Sequence, residues 1–141
     1  ILLKPGKLTD AEFEIMKTHT ALGRDAIAHA EWKLGMQVDF LGCAKEIAYG
    51  HQEKWDGSGY PQGLSGEQIP ISARLMAVAD VYDALISERP YKKPFTHEAA
   101  VELITKGANA HFDPDVVAAF VELAGEFKAI ADELKDAAAA V

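Results

Sequence analysis

Residues 73–87 read Ala-Arg-Leu-Met-Ala-Val-Ala-Asp-Val-Tyr-Asp-Ala-Leu-Ile-Ser. Leu75, Met76, Val78, Ala79, Val81, Tyr82 and Leu85 fall at helical spacing and cover most of the circumference of one helix. A helix that is apolar nearly all round packs at the centre of a core. The stretch therefore predicts a central helix in an all-α domain. Ser72 stands at its expected N-cap, and Arg89-Pro90 marks its end, because the residue before a proline avoids helical geometry.

Helical signals recur on both sides. Thr9 and Glu12 have capping-box spacing, with Asp10 placed to complement the helix dipole. Phe13, Met16, Lys17 and Thr20 then share a face, and Gly23 marks an expected break. A second helical stretch runs from Arg24 to Leu34 and stops at Gly35; a third, from Val38 to about His51, carries Leu41, Ala44, Ile47 and Ala48. Downstream, Thr96 caps a helix over Glu98 to Lys106, and Asp113-Pro114 opens another as N-cap and N1. Residues 128–141 form helix readily but have little to bury, so residues 1–127 are expected to form the domain and 128–141 a helical tail.

The 141 residues fit one domain with a real core, and 49% hydrophobic with 26% charged residues is a globular composition. Fourteen basic against 22 acidic residues leave a net charge of −8, which argues against nucleic-acid polymers as partners. Cys43 is the single cysteine, so no internal disulfide forms; a reducing compartment, the cytoplasm, is expected. Its apolar surroundings predict a small buried residue. No run of 18 apolar residues exists to span a membrane. The chain opens Ile-Leu-Leu-Lys-Pro with no initiator Met, and the expectation is a piece of a longer polypeptide.

Four groups of residues carry chemistry. Residues 51–61, His-Gln-Glu-Lys-Trp-Asp-Gly-Ser-Gly-Tyr-Pro, place one ligand-type side chain, two acids and two glycines on one loop. Gly57 and Gly59 permit positive φ or close backbone approach. Asp80 and Asp83, at i and i+3, project from one side of the apolar helix. They read either as ligands or as a salt-bridged or solvent-facing stripe. His19 and His51, on two other helices, can converge with Asp80 into a ligand set for Fe, Mn or Zn. His29, His97 and His111 read as ordinary polar residues. Residues 87–94 form a short basic loop in which Arg89 and Lys92 suit phosphate.

Together these segments resemble one family. Lys-Pro-Gly-Lys-Leu-Thr at residues 4–9, Met16-Lys17-Thr18-His19, the 51–61 loop, Ile69-Pro70, residues 77–85, Arg89-Pro90-Tyr91-Lys92 and His111-Phe112-Asp113-Pro114 follow the order found in HD-GYP domains. That family is a bacterial branch of the HD metal-dependent phosphohydrolases, and the likeness covers residues 3 to 121. It implies an all-α HD helical bundle, here lacking its N-terminal helices. It implies hydrolysis of cyclic di-GMP to pGpG or GMP through a two- or three-metal centre, often of iron or manganese. By the same likeness His19, His51 and Asp80 match metal ligands. Asp80 and Asp83 match the catalytic carboxylates, Arg89 and Lys92 the phosphate contacts, and Gly59, Tyr60 and Pro61 the substrate-side loop. An upstream sensor or receiver domain is implied in the parent protein, and a homodimer is compatible.

Two departures qualify the implied activity. Gln52 stands where the family usually has a second histidine, and an amide oxygen is a weaker transition-metal ligand than imidazole. The His-Asp pair that names the superfamily belongs upstream of Lys4, so the isolated chain is expected to be inactive. Two alternatives stay open: a degenerate module that binds cyclic di-GMP or a protein partner, and a phosphohydrolase for another nucleotide.

Overall fold

Six α-helices and no strand make up the described residues (1, 4, 6–35, 38–88 and 93–139) of this computed structural model. They are α1 (Asp10–Leu34), α2 (Asp39–Gly50), α3 (Ile71–Ile86), α4 (His97–Lys106), α5 (Pro114–Glu122) and α6 (Ala124–Ala139), with one 3-10 turn at Gly66–Gln68 before α3. The all-α expectation holds.

Helix α1 starts at the expected capping box. The Glu12 N–H donates to Thr9 Oγ1 at 3.3 Å, and the Thr9 N–H donates to Glu12 Oε2 at 2.7 Å. Lys4 joins the same carboxylate at 2.5 Å and, with Thr9, holds the Glu12 carboxyl down at about 2. The helix ends at Gly35, whose left-handed φ of 65° lets its N–H reach the Trp32 carbonyl. The expected break at Gly23 does not occur. A Cβ built there would sit 3.4 Å from the Ala48 Cβ, so this glycine serves the α1–α2 crossing rather than a turn.

The core lies between α3, α4 and α5. Ala77, Val78, Tyr82 and Ile86 meet Ala100 and Ile104, then Phe112, Val116, Val117 and Phe120. Tyr82, Phe120 and Phe127 pack edge to face with ring centroids 4.9–5.7 Å apart. Phe127 and Ala131 thereby bring α6 onto the core. The α1–α2 hairpin joins through α2, where a Cβ on Gly50 would lie 2.9 Å from the Ala73 Cβ.

Three expectations need correction. Helix α3 is buried on one side only: Leu75 is 53% exposed and Met76 37%, and Met76, Asp80 and Asp83 share the outward face at i, i+4 and i+7. Cys43 is exposed, because α2 packs through the stripe of Leu41, Ala44, Ile47 and Ala48 and turns Cys43 away. Ser72 is no cap: Pro70 holds the N-cap position of α3, and the Ser72 hydroxyl donates to Glu46 Oε2 on α2 at 2.7 Å. Thr96 and Asp113 do cap, accepting the N–H groups of Ala99 and Asp115.

Candidate functional site

His19 stands exposed in the third turn of α1, and His51 is the C-cap residue of α2. Their Nε2 atoms stand 3.2 Å apart. His19 Nδ1 donates to the Met16 carbonyl at 2.7 Å, and His51 Nδ1 donates to the Ile47 and Ala48 carbonyls at 3.0 and 3.1 Å. A carbonyl can only accept, so both protons sit on Nδ1 and both Nε2 lone pairs face each other. Two lone pairs at that distance repel unless a proton or cation lies between them. Two nitrogens bound to one divalent ion at about 2.1 Å lie about 3.0–3.4 Å apart, so the pair fits one edge of a metal shell. Orientation of each ring through its other nitrogen is the usual support of such ligands.

The loop of residues 51–66 forms the adjoining wall. Tyr60 lies edge-on to His19 at 6.4 Å and to Phe13 at 5.9 Å, and Tyr60–Pro61 is a cis peptide. Partial burial, then the charge of Asp80, pushes the Tyr60 phenol above its ordinary value. Tyr60 is therefore a neutral hydroxyl at neutral pH, and Asp80 on α3 faces the same space. Asp83 lies one turn further along, exposed, accepting from Ser87 Oγ at 3.3 Å. Of the readings open for these two carboxylates, the salt-bridged one finds no support: both are exposed, and no ion pair among the described residues holds either. The histidines and Asp80 do not close into a shell, since among the described residues no three His, Cys, Asp or Glu side chains could hold a metal. Arg89 and Lys92 lie outside the described residues.

The loop owes its shape to contacts that local sequence reading misses. Glu53 is 2% exposed, and its carboxylate accepts the N–H groups of Gln62 at 2.7 Å and Leu64 at 3.1 Å. The Tyr60 N–H donates to the Gln52 carbonyl at 3.1 Å. Asp56 makes an Asx turn to the Ser58 N–H at 2.9 Å, and Ser58 holds its carboxyl below the usual range. Outside the loop, the Trp55 and Asp56 N–H groups donate to the His111 and Ala110 carbonyls at 3.1 and 2.9 Å. Arg74 completes the fastening. Its Nε donates to the Ile69 carbonyl at 2.9 Å, its guanidinium pairs with the buried Asp113 at 2.6 Å, and it lies 5.8 Å from the centre of the Trp55 ring. A lone cation inside the apolar run of α3 was the one sequence signal for this hub.

Of the two glycines, Gly57 has φ 82°, whereas Gly59 is required by close approach. A Cβ on Gly59 would lie 2.3 Å from the Lys54 nitrogen, 2.5 Å from Glu53 Cα and 2.6 Å from the Gln52 oxygen. All three are backbone atoms, so nothing flexible can move aside. Gly59→Ala is expected to cost about 1–3 kcal/mol through overpacking. The readout is a lowered urea midpoint, with faster proteolytic nicking confined to residues 55–66.

The other histidines keep ordinary roles. His97 meets the Tyr82 hydroxyl at 2.8 Å, His29 stacks on Trp32, and burial pushes His111 below its ordinary value.

The sequence model of the HD domain matches residues 1–116. A cyclic di-GMP phosphodiesterase of Vibrio cholerae is 58% identical over 98% of this chain and 28% of its own length. A cyclic di-GMP phosphodiesterase response regulator of Xanthomonas campestris is 42% identical over 99% of this chain and 35% of its own. A 3'3'-cGAMP-specific phosphodiesterase of Vibrio cholerae is 46% identical over 96% of this chain and 25% of its own. The chain thus spans a quarter to about a third of the length of these relatives. No helix among the described residues is long and apolar enough to cross a membrane.

Proposed function

Because the chain belongs to the HD domain family, in its HD-GYP branch, we propose that it works as part of a metal-dependent phosphodiesterase acting on cyclic di-GMP. Residues 1–127 serve as the C-terminal part of the catalytic domain, and the rest of α6, from 128 to 139, as a helical tail laid against the core at Ala131, within a longer cytoplasmic signalling protein. A sensor or receiver domain upstream controls it, as the response-regulator relative suggests, and the parent protein is compatible with a homodimer.

The observation that carries the reading is the His19–His51 pair, with its two Nε2 lone pairs 3.2 Å apart and Nδ1 protons fixed on backbone carbonyls. His19 and His51 would hold one edge of the metal shell, and Asp80, which the family likeness adds to them, would have to draw in to complete it, with iron or manganese as the candidates. A bound divalent ion supplies Lewis acidity at the phosphodiester. Asp83, on the same face of α3 as Asp80, holds a hydrogen bond to the attacking water. The neutral Tyr60 hydroxyl donates to a phosphate oxygen, while Gly59 and Pro61 fix the loop that carries it. Arg89 and Lys92 offset phosphate charge locally on a chain whose net charge is −8.

The test uses the full-length protein loaded with Fe(II) or Mn(II) and offered cyclic di-GMP, 3'3'-cGAMP and linear dinucleotides. Turnover of cyclic di-GMP to pGpG or GMP is the expected result. A second reading rests on Gln52: binding without turnover, with turnover gained on Gln52→His, identifies a degenerate binding module. Preference for 3'3'-cGAMP would instead align the chain with that relative. Absence of binding to every cyclic dinucleotide overturns the proposal.

A further inference from the structure

Glu53 is a carboxylate buried to 2% exposure whose hydrogen bonds run to Gln62 and Leu64 rather than to the histidine pair, and it forms no ion pair among the described residues. Its hydrogen-bond partners in the structure are two backbone N–H groups, those of Gln62 and Leu64. Burying a charge is costly, and a loop staple alone could be built from a neutral side chain such as Asn or Ser. A carboxylate offers something a hydroxyl does not: two equivalent acceptor oxygens that fix two donors at once, at a set separation.

The donors lie just beyond Tyr60 and Pro61, and Glu53 lies two residues beyond His51. The bonds therefore tie the outgoing limb of the loop to the segment that ends α2. The Tyr60 N–H to the Gln52 carbonyl and the close seat of Gly59 on residues 52–54 hold the same two limbs together. Tyr60 cannot shift relative to His51 without breaking at least one of these contacts. Its ring position against His19, at 6.4 Å, follows from that register.

We infer that Glu53 is a positioning residue: it sets the distance between the Tyr60 wall and the histidine pair, and so the fit of the cyclic dinucleotide. The inference rests on the functional reading above and adds to it the device that holds the substrate wall in place. Glu53 touches no reacting atom in this account.

Replacement by Gln preserves volume but turns one acceptor into a donor facing an N–H, so only one of the two bonds survives. Replacement by Ala removes both. In the metal-loaded full-length protein the expected series is graded. KM for cyclic di-GMP rises by about tenfold in Glu53→Gln and further in Glu53→Ala, following the loss of one and then two charge-assisted bonds. Turnover number and metal content per chain change little, because His19 and His51 keep their own backbone anchors. Hydrogen exchange measured on peptides covering residues 59–65 accelerates in the same order, while that of α5 does not.

Loosened exchange with an unchanged KM in Glu53→Gln reduces Glu53 to a structural staple and overturns the inference. Unchanged exchange overturns it as well. Metal lost in parallel with activity would assign Glu53 to the metal shell and reject the positioning role. A parent protein that binds no cyclic dinucleotide is a separate outcome, which removes the functional reading and this inference together. Should Glu53→Ala fail to fold, the isosteric Gln variant alone decides the matter.

Discussion

Arg74→Ala is expected to cost about 3–5 kcal/mol of folding stability, the penalty for stripping one partner from a buried, hydrogen-bonded ion pair. Asp113 has a side chain only 3% exposed, and Arg74 is its ion-pair partner among the described residues, at 2.6 Å. With the guanidinium gone, the carboxylate keeps the Asp115 N–H but loses its countercharge. The Ile69 carbonyl also loses a donor, and the Trp55 ring loses the cation beside it. Arg74→Lys should recover only part of the loss, since an ammonium group cannot serve both the Ile69 carbonyl and Asp113 through a rigid fork. Urea unfolding of both variants checks this, with the Lys variant falling between Ala and the parent. A midpoint unchanged in Arg74→Ala would mean that Asp113 finds water, and that the hub is not what fastens the loop.

His51→Ala has the largest expected effect on activity. The substitution removes one of the two facing nitrogens and leaves His19 with nothing opposite it at 3.2 Å. Loss of an outer-shell partner of a metal ligand commonly costs 10–100-fold, so with His51 in the ligand role proposed above its loss should cost at least about 100-fold in turnover of cyclic di-GMP. Metal per chain should fall with it. Folding should be nearly untouched, because His51 is a half-buried residue at the end of α2, and helix α2 keeps its contacts with α1 and α3. Metal analysis, turnover and the unfolding midpoint of the full-length protein separate the two effects. Full metal content with lost turnover would leave His51 a role in substrate binding and move the ligand set elsewhere.

The helices were legible from sequence because their determinants are local. Thr9 with Glu12, Gly35, Thr96 and Asp113-Pro114 act within one turn of where they stand, and each does what its spacing implies. Gly23 misled because a glycine inside a helical pattern looks the same whether it breaks the helix or seats a neighbour. Only Ala48, 25 residues away in the chain, distinguishes the two. Cys43 and Leu75 misled in the same manner: apolar neighbours in sequence do not say which face of a helix meets another. The His19–His51 meeting was foreseeable as two ligand-type residues on separate helices. Their 3.2 Å approach depends on how α1 crosses α2, which no periodicity encodes. Glu53 was hidden most deeply, since its partners are backbone groups, and backbone carries no sequence signature.

The double fastening of the 51–66 loop bears on how this segment can be exchanged. Its inner ties run to Glu53, but its outer ties run to the carbonyls of residues 110 and 111 and, through Arg74, to Asp113. Residues in three separate stretches of chain therefore form one transplantable unit. A chimera that swaps residues 51–66 between relatives should keep its loop only if the 108–113 turn and the residue at 74 travel with it. For recombination, whether in the laboratory or in genomes, the tolerated crossover points lie before α2 and after Asp113, and not at the edges of the loop.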